Sequence, residues 1–563
     1  MVAAGPDTIG RLGVGWLLLL SLCACNPAVE VDVVLRGGTV LDGTGGEPYV
    51  GDVALKGDTV VGVGDLGRVR GAREIDVSGL AVAPGFINML SWATVSLFED
   101  PRAQSDIRQG VTLEVFGEGW SMGPLNEEMR QEALERQSDI HFDIPWTTLG
   151  GYLEHLEERG IAPNVASFVG ATTVRIHELG HEDRPPTEEE LDRMRGLVRQ
   201  AMEEGALGVG SSLIYAPASF AETEELVALV DEAAAFGGLY ISHIRSEGSE
   251  LLEALDELIE ISRRTGAPAE VYHFKASRPA NWDKLEPAID RIESARAEGL
   301  SVAANMYTYP ASATGLDAAM PTWVQEGGHK AWVERLKDPA IRARVREELD
   351  LLPPEKMLFV DFRNDELSHL VGMTLAEVSQ LRGTSPEDTV MDLVVEDDSR
   401  VGTIYFSMSE ENVRRKVALP WMSFGSDAGA PATEGVFIES STHPRAYGTF
   451  ARVLGRYVRE EGLIPLAEAV RRMTSWPAER LGLERRGLLE AGYFADIAVF
   501  DPAKISDRAT FEAPHQYSEG VVHVFVNGGQ VLADGEPTGE TPGRFVRGPG
   551  YRAAETSEGQ EGK

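Results

Sequence analysis

The stretch Leu239-Tyr240-Ile241-Ser242-His243, followed 30 residues later by Ala269-Glu270-Val271-Tyr272-His273, decides the fold. Each is a short apolar run closed by a histidine, and a third run further on is closed by Gly425-Ser426-Asp427. Single residues at the ends of successive strands are how a (β/α)8 barrel builds a site, because side chains there point into a mouth where the loops leave room for a ligand. The rest of the chain should then count out as a barrel.

Working outward, strands alternate with helices, the order that argues for a parallel sheet. Thr187-Glu188-Glu189-Glu190 is a capping box, Leu191, Met194, Leu197 and Val198 keep helical spacing, and Gly205 is placed to end the helix. Eight strands are expected, over 84–90, 111–117, 165–170, 206–210, 239–243, 269–273, 301–307 and 421–427. His243 and His273 then close the fifth and sixth, and Asp427 closes the eighth. The predicted class is α/β: a (β/α)8 TIM-like barrel over 81–486, interrupted at about 311–420 by a subdomain over the mouth, where inserts shape a pocket. Short β-type runs at 31–35 and 52–55 are matched near the other end by 495–500, 521–526 and the turn Asn527-Gly528-Gly529. The two ends, 26–80 and 487–545, are expected to pair into one small β-sandwich domain, with a polar tail over 546–563.

At 563 residues with 43% hydrophobic content, the chain can build a large core and more than one structural unit. Its 52 Lys plus Arg against 90 Asp plus Glu give a net charge of −38, which repels polyphosphate, so no nucleic acid partner is expected. Arg11 precedes an apolar run over 12–22, the length of a signal-peptide core and too short to span a bilayer. The two cysteines follow in Leu22-Cys23-Ala24-Cys25-Asn26, which resembles a bacterial lipoprotein box with Cys25 as the lipidated residue; an ordinary secretory signal cut after Ala24 is the other reading. Both imply export, to the periplasm or to a membrane through a lipid anchor. No cysteine beyond Cys25 remains after cleavage, so any metal must be held by His, Asp or Glu.

The sequence is similar to the amidohydrolase superfamily, and within it to the D-aminoacylase (N-acyl-D-amino-acid deacylase) family. The likeness runs through Ala83-Pro84-Gly85-Phe86-Ile87, Ile241-Ser242-His243-Ile244-Arg245-Ser246-Glu247-Gly248, Tyr272-His273-Phe274-Lys275, Gly425-Ser426-Asp427, His443-Pro444-Arg445-Ala446-Tyr447-Gly448 and Met473-Thr474-Ser475-Trp476-Pro477-Ala478. It departs at strand one. Where the family has Asp-x-His-x-His, this chain reads Asn88-Met89-Leu90-Ser91-Trp92, so both histidines are gone. The family's cysteine ligand after strand two is also missing. Gly117-Glu118-Gly119 stands there one residue shorter, leaving open whether Glu118 or Gly119 takes its place.

The resemblance implies a metal-dependent hydrolase that cleaves the amide bond of N-acyl amino acids, of the D hand. Amide hydrolysis needs a strong nucleophile and a stabilised oxyanion, and a metal supplies both by acidifying water and polarising the carbonyl. Two imidazoles plus a carboxylate make a workable catalytic zinc set. His243, His273 and Glu118 are the candidate ligands for one zinc ion, and Asp427 matches the family's proton-shuttling aspartate. Strand alternation puts Arg245 and Lys275 beside their histidines, where either can hold a substrate carboxylate; Tyr215 and Arg445 are further candidates for the same pocket. Each residue also has a plainer reading: satisfied strand-end histidines, a solvated turn carboxylate, surface ion pairs. Two other functions compete. His177-Glu178-Leu179-Gly180-His181 fits the H-E-x-x-H zinc metalloprotease pattern, but Gly180 and Pro185-Pro186 leave little room for its helix. The other is a non-catalytic, lipid-anchored barrel or binding protein that has lost its metal.

Overall fold

The computed structural model describes residues 29–552. The expected signal peptide with Cys25, and the tail from Ala553, lie outside the described residues. Eight parallel strands form the barrel: β1 (Phe86–Asn88), β2 (Val111–Phe116), β3 in two pieces (Asn164–Ser167 and Val169–Gly170), β4 (Gly208–Ser212), β5 (Leu239–His243), β6 (Ala269–Val271), β7 (Val302–Met306) and β8 (Met422–Phe424). Neighbours pair in parallel, with Gly208 opposite Leu239 and Ser212 opposite His243 across β4 and β5. β3 keeps its bond to β2 through its break, the Phe168 N–H donating to Phe116 O at 2.9 Å. The ring closes between β8 and β1, where Met89 N–H donates to Phe424 O at 3.1 Å and Asp427 N–H to Leu90 O at 2.8 Å.

Alternation divides the strand residues into two packed layers. Ile87, Leu113, Ala166, Leu239 and Ile241 pack with one another, while Phe86, Val165, Val209, Tyr240 and Val271 join the larger cluster shared with the helices. The helix Glu188–Glu204 is representative. Thr187 and Glu190 form the capping box, Met194 and Val198 are buried, and Gly205, at φ 112°, ends the helix. Such a cap contributes about 1 kcal/mol.

Both chain ends pair into a single nine-stranded sheet. Its seam is Ala81–Pro84, which runs antiparallel to Ile497–Phe500 and parallel to Thr39 and Val40. The polar tail expected from 546 starts later. Val546 is buried and its N–H donates to Val165 O at 2.8 Å, and Gly548 and Arg552 bond the Gly205 and Glu203 carbonyls at 2.8 and 3.0 Å. An apolar side chain with paired backbone at the foot of the barrel outweighs the polar composition around it.

Between β7 and β8, Ser312–Thr314, Met357–Asp361 and Gly402–Tyr405 form an antiparallel sheet with its own core, which includes Leu316, Trp332, Phe359 and Leu393. The helix Glu410–Val417 returns to the barrel, burying Val413 and Val417 in the barrel's main cluster, so the insert's own packing ends at Tyr405 rather than near 420. Among the described residues no helix is long and apolar enough to cross a membrane.

Candidate metal centre

Glu118 leaves β2 between two glycines in the left-handed region, Gly117 at φ 106° and Gly119 at φ 72°. A β-carbon on Gly117 would sit 2.4 Å from Phe168 O, and one on Gly119 only 2.3 Å from Ser212 Oγ. Only glycine fits at either place. With Gly119 pressed against β4, Glu118 is the residue of that pair that turns to the histidines.

Glu118 Oε1 lies 3.0 Å from His243 Nδ1 and 2.7 Å from His273 Nε2, and the two rings meet edge to face at 4.4 Å. All three side chains are buried. His243 closes β5. His273 stands two residues past β6 with φ 34°, its N–H donating to Asn305 Oδ1 at 2.8 Å. Asp427 likewise has φ 51°. Non-glycine residues held in this region cost free energy and concentrate at functional sites.

The donor atoms of Glu118, His243 and His273 lie within 4.8 Å of one another, the one such His, Cys, Asp and Glu set among the described residues. Ligands on a tetrahedral zinc with bonds near 2.1 Å are separated by about 3.4 Å, so modest spreading fits an ion. His243 Nε2 is buried without a hydrogen-bond partner. Two imidazoles and a carboxylate are also the donor chemistry that zinc takes. A barrel stripped of its metal set does not match this arrangement.

Charge at the centre is tightly organised. Burial alone would raise Glu118, but the charges and hydrogen bonds of His273 and His243 outweigh it and hold the carboxyl below its usual range. Burial and Lys275 press His273 toward neutral, yet Glu118 and Glu247 outweigh them and raise it to about 9. The group therefore favours positive charge, and a divalent cation must release the His273 proton on binding. Asp427 closes the site from β8, its Oδ1 accepting the Trp92 indole N–H at 3.2 Å and its Oδ2 lying 2.7 Å from Arg445 Nη1. Burial lifts its carboxyl above the usual range, Arg445 opposing and Glu118 adding to the rise.

Two expected carboxylate clamps do not serve that way. Arg245 is spent on Glu257, at 2.9 and 3.0 Å, and on the Ser219 and Ala221 carbonyls. β5 ends at His243, so strand alternation no longer governs position 245. Lys275 does lie beside its histidine, with Nζ 2.7 Å from His273 Nδ1, but it is held by Glu247 and donates to His273 O at 3.1 Å. It orients His273. Tyr215 meets the His243 ring edge at 5.3 Å and bonds Thr314 of the insert at 2.9 Å. Arg445 is buried, bonds Ala313 O through Nη2 at 3.3 Å, pairs with Asp427 through Nη1 and leaves Nε without a partner.

The sequence reading missed three residues. Glu247, four past His243, lies 3.0 Å from His273 Nδ1. Tyr307, just past β7, is buried with its hydroxyl unpartnered, and the Arg445 guanidinium stacks 4.6 Å from its ring. Trp92 reads in the sequence only as a missing histidine, yet its N–H reaches both Glu118 Oε2, at 3.1 Å, and Asp427. A cavity of about 1370 Å³ opens over these groups, walled on one side by the insert through Thr314, Trp332 and Arg400.

The metalloprotease pattern fails on geometry. A helix does form over Ala171–Leu179, contrary to the expected loop, but it ends at Gly180 with φ 63°, leaving His181 off its face. His177 pairs with Glu178 at 2.9 Å, Glu178 with Arg193, and His181 contacts Glu132 at 3.5 Å. No shared metal position results.

Comparison with known proteins gives the family. The model of the amidohydrolase family matches residues 73–532. A D-aminoacylase of Alcaligenes xylosoxydans xylosoxydans is 34% identical over 519 residues, covering 92% of this chain and 97% of its own. Among solved structures, a D-aminoacylase described as having a binuclear metal centre, with one-metal activation and second-metal attenuation, superposes with a TM-score of 0.79 at 33% identity, over 92% of this chain and all of its own. An N-acyl-D-glutamate deacylase from Bordetella bronchiseptica, complexed with zinc and a phosphonate mimic of the tetrahedral intermediate, gives 0.78 at 30% identity with the same coverage.

Proposed function

Since this chain belongs to the amidohydrolase family, we propose that it hydrolyses the amide bond of N-acyl amino acids, with one zinc ion held by Glu118, His243 and His273. The observation that carries the reading is the convergence of those three donors beside a buried Asp427. The D hand is taken from the D-aminoacylase and N-acyl-D-glutamate deacylase it resembles.

When bound, the ion supplies Lewis acidity to the amide carbonyl and lowers the pKa of water. Asp427 accepts a proton from the attacking water and delivers it to the departing nitrogen as the C–N bond breaks, leaving a carboxylate and an amine. A carboxyl raised above its usual range suits both halves of that cycle. The substrate's own carboxylate needs a fixed partner. Arg445 Nε and the Tyr307 hydroxyl offer one, since both are buried without hydrogen bonds. A guanidinium and a phenol together bind a carboxylate by charge-assisted hydrogen bonds. Lys275 and Glu247 hold the His273 ring.

Purified protein assayed against N-acetyl amino acids of both hands, with and without chelator, tests the reading. Release of free D-amino acid that chelator abolishes supports it; no hydrolysis of either hand by zinc-loaded protein contradicts it. We extend the proposal to location, an exported protein anchored through a lipid on Cys25, on the strength of the apolar run and Leu22-Cys23-Ala24-Cys25. Mass spectrometry of the mature N-terminus decides it: a lipidated Cys25 supports the anchor, an unmodified N-terminus contradicts it.

A further inference from the structure

Glu118 and Asp427 come from strands on either side of β1, and one oxygen of each is turned toward the other carboxylate's side of the site. Glu118 Oε1 serves the two histidines and Asp427 Oδ2 faces Arg445, which leaves Glu118 Oε2 and Asp427 Oδ1. Between those two oxygens stands a single donor, the Trp92 indole N–H, 3.1 Å from the first and 3.2 Å from the second. Two buried carboxylates this close repel each other, and the repulsion is relieved either by a shared cation or by a shared hydrogen-bond donor. An indole N–H donates without ionising, so it cannot be titrated or chelated away.

We infer that the Trp92 indole occupies the position from which a second cation would bridge Glu118 and Asp427, so that the site is closed to more than one metal ion and its two carboxylates are fixed by a neutral donor. The residue one strand pleat away, Leu90, is buried against Gly425 and offers no ligand atom. Trp92 thus acts as a positioning residue: it holds Asp427 by Oδ1 while leaving Oδ2 on the Arg445 side. Loading with excess zinc should then neither raise the metal content nor depress activity.

The inference rests on the one-ion reading above, and metal content separates the two. Dialysed wild-type protein, Trp92→Ala and Trp92→His are each equilibrated with a large molar excess of zinc, freed of loose metal and analysed, with circular dichroism recording whether each variant is folded. One equivalent is expected in the wild type and two in Trp92→His, with Trp92→Ala gaining a weaker second equivalent on Glu118 and Asp427. Two equivalents in the wild type would overturn the inference, as would folded Trp92→His and Trp92→Ala both remaining at one. The wild-type count stands alone if either variant fails to fold. Wild-type protein that retains no zinc would instead overturn the one-ion reading itself.

Discussion

On the β5 and β6 side of the barrel mouth, Lys275, Glu247, His273 and Glu118 cancel one another's charge within hydrogen-bond reach. On the β1, β2 and β8 side, Glu114 and Asp427 face neutral donors instead, the Asn88 amide at 3.0 Å and the Trp92 indole at 3.2 Å, with Arg445 alongside Asp427. The consequences are opposite. Paired charges keep Glu118 and Glu247 ionised, each below its usual range despite burial. Burial dominates there, outweighing Arg445 at Asp427 and the Asn88 amide at Glu114, so Asp427 is raised and Glu114 rises to about 7. One half is suited to hold a cation, the other to exchange protons.

That contrast can be broken from the metal side first. His273→Ala removes a ligand and the group on which Lys275 and Glu247 converge; zinc should be lost on dialysis and hydrolysis should fall to the chelator-treated level. Asp427→Asn should break the other half alone. Zinc content stays at the wild-type value while kcat falls by about 10²–10⁴-fold, the usual contribution of a general acid–base group.

Glu114→Gln sharpens the comparison through stability. Burial raises Glu114 from 4.5 to about 7, so the folded protein binds this proton more tightly than the unfolded chain does. Stability from that proton is complete below pH 4.5 and is lost as pH rises through 7. The window corresponds to on the order of 3 kcal/mol. Glutamine keeps the acceptor for Asn88 and removes the ionisation, so its melting temperature should decline less than wild type across that window. The smallest effect is expected from Lys275→Met, which leaves the ligands but frees the His273 ring. Groups that orient a metal-binding imidazole are worth about 10–100-fold in affinity, and competition with a fluorescent chelator measures it.

The eight strands were legible because each is a short buried apolar run, and the two histidines of the candidate site because they end two of those runs. Glu118 was legible as a residue type but not as a position. It was chosen over Gly119 because it alone of the pair carries a ligand atom, and its approach to His243 and His273 joins residues far apart in sequence. Arg245 was misread because period-two alternation was carried past the end of β5. Glu247 and Tyr307 lie just beyond strand ends, where no periodicity says which way a side chain turns. Trp92 was hidden by its chemistry: as a replacement for a ligand it reads as a loss, and only its distances to two carboxylates give it a role.

The central claim is that one ion on Glu118, His243 and His273 activates hydrolysis with Asp427 as its proton carrier. Chelator-treated protein titrated with zinc while N-acetyl-D-amino acid hydrolysis is followed tests this most directly. Activity should rise linearly and stop at one equivalent. Full activity in the metal-free protein, or none at one equivalent, would contradict it.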